Sequence, residues 1–145
     1  MTISVCFYAE AKASCGRQIH LYDWDTLGHF GVEELVVVDR TGFECFNPKT
    51  KIPLTKFDSL AEALDRNAPA VFADAAMPDA IPYDKFLHPA GDVIYCFGSD
   101  VGGFRGEVQE GMGDWISIPG ESKYELWAIQ AASIVMSNRW LRGNH

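Results

Sequence analysis

The stretch VIYCFGSDVGG, residues 93–103, constrains this chain more than any other. Its first five residues are β-branched, aromatic or small and apolar, so they read as a buried strand. Gly98 follows at once, then Gly102 and Gly103, where the backbone can turn sharply and approach a ligand closely. A second apolar run, WISI at 115–118, stops at Pro119 and Gly120, which do not readily continue a ladder. Beyond it, Leu126, Ile129, Ala132, Ile134, Val135 and Met136 recur at near-helical spacing. A long terminal helix with one wide apolar face is therefore expected over the ESKYELWAIQAASIVMSNRW segment.

The rest of the chain supplies more strands of the same kind. Residues 2–9, TISVCFYA, are almost continuously apolar, which suits a parallel strand covered on both faces. Residues 17–30 read as a helix with Ile19, Tyr22, Leu27 and Phe30 partly periodic, and Gly31 is placed to end it. ELVVVD at 34–39 reads as the second strand and the clearest one. Residues 40–57 carry Gly42, Asn47, Pro48 and Pro53 and read as an irregular excursion. Lys49, Lys51 and Lys56 make it the most basic segment. Ser59 to Glu62 forms a capping-box pattern, so a short helix to about Asn67 is expected. Residues 70–73 read as the third strand. Residues 74–88, with Pro78 and Pro82, predict only a turn of helix near 83–87. Strands alternating with helices predict an α/β fold with a mostly parallel sheet, built as a single domain over residues 1–145.

Composition narrows the function. A chain of 145 residues with 48% apolar residues can build an ordinary core. A formal net charge of −8 disfavours a nonspecific nucleic-acid binder, whose affinity rests on Lys and Arg at phosphates. RNA as a substrate stays open, because a local basic patch suffices for that; DNA and membrane partners are not expected. The four cysteines form no C-x-x-C pair, and Cys6 and Cys96 sit in apolar runs as buried thiols, which fits a reducing, cytoplasmic setting. No basic-then-apolar leader and no run of membrane-spanning length is evident. His20, His29, His88 and His145 show no ligand spacing, so no metal is expected.

The segment from 93 to 140 resembles the SPOUT class of RNA methyltransferases, and within it the SpoU/TrmH-like 2′-O-ribose methyltransferases. The resemblance rests on the apolar strand ending in FG, the acidic residue and two glycines of FGSDVGG, the strand ending I-P-G, and the Ala-rich helix after it. It implies an α/β fold with helices on both faces of the sheet and a C-terminal trefoil knot. It also implies S-adenosylmethionine held by the knot loops, a homodimer, and tRNA or rRNA as substrate.

The site candidates combine strand ends with that resemblance. In open parallel sheets, ligands bind beyond the carboxyl ends of the strands. Those ends are 73–77, 97–103 and 118–120. The resemblance makes Ala73, Phe97, Gly98, Gly102, Ile118, Pro119, Leu126 and Ala128 the cofactor-lining candidates. The catalytic side departs from the family. Aligning on FGV at 30–32 puts Asp25 where the family carries an arginine. Arg17, one to two turns earlier, is then the candidate cation. Asp100 replaces the family's Glu after FG, and Glu125-Leu126-Trp127 stands where Ser-Leu-Asn is usual. Arg17, Asp100 and Glu125 are the catalytic candidates. Two readings stay open: an S-adenosylmethionine-dependent RNA methyltransferase, and a noncatalytic knotted module that binds cofactor or a partner chain. An α/β hydrolase or a nucleotide-binding protein outside the SPOUT class is a third. Trp115, Trp127 and Trp140 can stack on bases or pack in a core or dimer.

Overall fold

The computed structural model describes residues 1–9, 17–39, 49–74, 77, 79–99, 103–104, 106–109, 111–121 and 123–143, with the side chains of 17–20 left aside. Its centre is a seven-stranded, wholly parallel sheet among these residues, ordered β3-β2-β1-β6-β4-β7-β5. The strands are β1 (Ile3–Tyr8), β2 (Glu34–Val38), β3 (Leu54–Phe57), β4 (Ala70–Ala73), β5 (Ile81–Pro82), β6 (Val93–Phe97) and β7 (Asp114–Ser117). The helices are α1 (Arg17–Asp25), continued by a 3-10 turn at Thr26–Phe30, then α2 (Leu60–Ala63) and α3 (Ala128–Leu141).

Every residue of β1 and β6 is buried. That is the pattern expected of near-continuous apolar strands covered on both faces. Alternation sorts their side chains into two cores. On one face Val5, Phe7, Leu35, Val37, Tyr95 and Phe97 meet Leu21, Trp24 and Leu27, and also Ala132, Val135 and Met136 of α3. On the other, Cys6, Tyr8, Val36, Phe72 and Cys96 meet Leu60, Ala63 and Phe104. Helices therefore cover both faces. Cys6 and Cys96 are free, buried and in register across the β1–β6 pair. Burial pushes the Cys96 thiol up, and the neighbouring Cys6 thiol adds to the effect.

Several boundaries differ from expectation. The excursion after β2 ends in β3, whose short LTKF run lies at the sheet edge and is too polar to announce itself. The helix after Ser59 is one turn, Leu60–Ala63, although Ser59 Oγ does accept the Glu62 N–H at 3.2 Å. At 81–82 a two-residue strand pairs with β7, with a turn after it in place of the expected helix. Leu21, Trp24 and Leu27, three residues apart, form the buried stripe of the first helical segment, whereas Tyr22 is 46% exposed. Trp24 stacks on Phe7 with ring centroids 4.1 Å apart. Helix α3 starts at Ala128, so residues 121 and 123–127 are not helical. The Trp127 N–H is held there by Gln130 Oε1 at 2.8 Å.

The chain order has one further consequence. β6 is inserted between β1 and β4, and β7 between β4 and β5. Helix α3 packs on β6 and on the Thr26–Phe30 turn. Residues 86–88 meet the end of that helix, where Arg142 donates to the Phe86 carbonyl and His88 Nε2 lies 2.9 Å from Asn138 Oδ1.

Candidate functional site

Strand β4 is hydrogen-bonded to both β6 and β7, so the carboxyl ends of the three strands lie side by side. Ala73 is in register with Phe97 on one side and Ile116 on the other. One residue further, the Asp74 N–H donates to the Ile116 carbonyl at 3.0 Å and holds the β4 exit against β7. The loops leaving these strands start from one edge, as ligand loops of an open parallel sheet do.

The loop after β6 is closed on itself. Ser99 N–H donates to the Gly103 carbonyl at 2.7 Å, and Gly103 N–H returns a bond to Ser99 at 3.0 Å. A Cβ on Gly98 would lie 2.7 Å from the Gly103 carbonyl carbon. Gly98 is therefore a packing requirement of this closure, whatever else it contacts. Gly103 adopts φ 54°, a left-handed conformation that favours glycine. Ser99 is buried in the loop and was not singled out in the sequence; its place directly after FG was the available signal.

Three of the other cofactor candidates pack on one core. Ala73, Ile118 and Ala128 are half-buried and pack against the same core that holds Phe97. Leu126 is 46% exposed beside Ala128, and Pro119 follows two residues after β7. Phe97 itself is fully buried, so it supports the edge from below. The edge thus offers part-exposed small and aliphatic side chains next to a tight backbone loop. That composition fits a flat heteroaromatic ring with polar appendages. Gly102 and Asp100 lie outside the described residues.

Of the three catalytic candidates, Glu125 alone has a described side chain. Arg17 opens α1, with its side chain outside the described residues. Glu125 is exposed on the non-helical stretch before α3. Asp25, which the resemblance aligns with the family's arginine, is engaged by backbone groups. Its carboxylate accepts the Ile52 N–H at 2.9 Å and the Lys51 N–H at 3.0 Å, pinning the approach to β3. Among the described residues no group of three His, Cys, Asp or Glu side chains is arranged to hold a metal ion.

A polar cluster lies on the α3 side of β6. His88 Nδ1 lies 2.8 Å from the Tyr95 hydroxyl. With Nε2–H donating to Asn138 and the Tyr95 O–H donating to Nδ1, a neutral ring satisfies both contacts. Burial holds the His88 pKa below its ordinary value; the Asn138 bond opposes this, and Arg142 and Arg139 reinforce it. Burial likewise pushes the Tyr95 phenol up.

Solved structures share this architecture. A probable methylase family protein from Haemophilus influenzae matches with a TM-score of 0.72 at 17% identity, over 96% of this chain and 63% of its own. The SpoU methyltransferase AviRb from Streptomyces viridochromogenes, in complex with the cofactor AdoMet, matches at 0.71 and 16% identity, over 97% of this chain and 57% of its own. The AdoMet-bound rRNA methyltransferase from Sinorhizobium meliloti matches at 0.69 and 14%, over 98% and 57%. This is the SpoU/TrmH methyltransferase fold. The chain spans under two thirds of the length of these three proteins. No protein-family model and no curated protein matches the sequence.

Proposed function

We propose that this chain is a single SpoU/TrmH-type domain that binds S-adenosylmethionine and methylates RNA, either tRNA or rRNA, at a ribose 2′-hydroxyl. One observation carries the reading: the exits of β6, β4 and β7 converge on one edge beside the closed Ser99–Gly103 loop. In this reading the adenine rests among Ala73, Ile118, Leu126 and Ala128, with Gly98, Gly102 and Pro119 shaping the loops and Phe97 backing them. The bound cofactor would supply an activated methyl group. The chain's own residues would orient the hydroxyl and assist loss of its proton. Arg17, Asp100 and Glu125 are the candidates for that work. A C-terminal trefoil knot is part of the proposal. Its support is the late insertion of β6 and β7 into the sheet, with α3 tied to residues 86–88.

A homodimer is proposed as well. Tyr124 (80% exposed), Trp127 (60%) and Trp140 (36%) supply aromatic surface around α3 for a second copy. The reducing cytoplasm suits the free pair Cys6 and Cys96. A specific observation favours the noncatalytic alternative: Asp25 stands where the family's arginine would act, and its carboxylate is committed to backbone N–H groups. Calorimetry with S-adenosylmethionine, followed by transfer of labelled methyl to bulk tRNA and rRNA, separates the readings. Binding with transfer, and a loss of about a hundredfold in turnover on Arg17→Ala at unchanged cofactor affinity, supports the enzyme. Binding without transfer supports the module. Absence of binding removes the enzyme and leaves only a module for a partner chain.

A further inference from the structure

We propose that Arg139 anchors a buried site for one small monovalent anion of the halide class, enclosed between α3, β6 and residues 86–88. Arg139 is 1% exposed. Its Nε and Nη2 atoms are buried with no hydrogen-bond acceptor among the described residues. These two N–H groups form the side-on fork of the guanidinium, the edge by which arginine grips anions. Arg139 opposes the effect of burial on the Tyr95 phenol, and both arginines of this helix end lower the His88 pKa. Arg142 is turned to the Phe86 carbonyl, and His88 is bonded on both ring nitrogens.

The cluster thus holds one buried permanent cation, Arg139, beside the solvent-exposed Arg142. The ion pairs formed among the described residues, Met1–Asp92, Lys56–Asp39 and Arg66–Glu34, do not involve either. Buried charges in proteins are paired, because an uncompensated ion in a low-dielectric interior is strongly destabilising. The tyrosine hydroxyl is a neutral dipole and leaves the charge standing. A water molecule would satisfy the N–H groups and still leave the charge. An anion satisfies both. With Arg139 closed off within the single chain, a surface carboxylate of another molecule cannot reach the fork, so the acceptor has to be small enough to be enclosed.

The test is thermal unfolding of the whole chain in chloride at constant ionic strength, with gluconate as the bulky replacement, alongside Arg139→Met. The native midpoint should climb by about 3–6 °C for each tenfold rise in chloride above saturation. The midpoint of Arg139→Met should not respond. Crystals grown in bromide should show an anomalous peak within hydrogen-bond distance of Nε and Nη2. Equal chloride responses in the two proteins would overturn the proposal. So would a water, or a carboxylate from a second copy, occupying the fork in the bromide crystals. If Arg139→Met does not fold, the bromide density in the native protein decides alone.

Discussion

Gly98→Ala puts the candidate cofactor edge under the most direct test. The added methyl would sit 2.7 Å from the Gly103 carbonyl carbon and 2.9 Å from its Cα. Ordinary contact begins near 3.4 Å, so one strand of the loop has to retreat by about 0.7 Å. Both obstacles are backbone atoms, and no side-chain rotation relieves them. Retreat stretches the two Ser99–Gly103 bonds, now 2.7 and 3.0 Å. If both are lost at a net value of about 0.5–1.5 kcal/mol each, the cost is about 1–3 kcal/mol. For a chain of this size each kcal/mol corresponds to about 2–4 °C in midpoint. Urea unfolding followed by tryptophan fluorescence measures the stability loss, and calorimetry with S-adenosylmethionine measures the site. Both should fall together, because the loop that loses its closure is the one proposed to hold the ligand. Gly120→Ala is the control: a methyl there meets nothing within 4 Å and should leave stability unchanged. Native-like stability and native-like binding in Gly98→Ala would show that the loop does not close as described.

Three other substitutions probe the supports of this edge. Gly113→Ala drives a methyl to 2.3 Å from the Ala70 carbonyl oxygen and 2.8 Å from the Phe72 ring; overpacking of this kind should cost about 1–3 kcal/mol in urea unfolding by spoiling the β4–β7 pair. Asp25→Asn replaces a carboxylate accepting two backbone N–H groups with one acceptor and one donor, and a loss of about 1–3 kcal/mol is expected with cofactor affinity unchanged. His88 has its pKa depressed in the folded chain, so its contribution is complete above the unfolded value of 6.5 and is lost as pH falls below it. Native stability should therefore drop between neutral and mildly acid pH by more than that of His88→Gln, and parallel pH profiles for the two would refute this.

The sheet was legible because its central strands are extreme. Residues of β1, β2 and β6 are apolar on both faces, and that pattern permits little except a parallel strand between two helical layers. The edge strands were illegible for the opposite reason. Thr55 and Lys56 in β3 face solvent, and β5 is two residues ending in a proline. Their strand character comes from pairing with β2 and β7, which no local pattern records. The start of α3 was misjudged because Tyr124, Leu126 and Trp127 extend its apolar composition backwards, while Gln130 caps the backbone at Trp127. The order of strands was likewise out of reach for propensity. It decides whether the loops at 73, 97 and 118 meet, and only the family resemblance supplied an expectation of it.

The two halves of the proposed chemistry depend on the sequence in different ways. The proposed cofactor edge is made by strand register, backbone bonds and the space that Gly98 leaves open, so many side chains can change around it. Similarity to the AdoMet-bound structures at 14–16% identity is what such an edge tolerates. Activation of a hydroxyl instead rests on one or two charged atoms placed within hydrogen-bond reach, and a single substitution removes them. Asp25 marks that asymmetry in one residue. Its carboxylate spends its two oxygens on the Lys51 and Ile52 N–H groups, so the local fold gains a clamp where the resemblance implies a working side chain. In the proposed function cofactor binding and methyl transfer are therefore separable, and Arg17→Ala is the substitution that tests the second without touching the first.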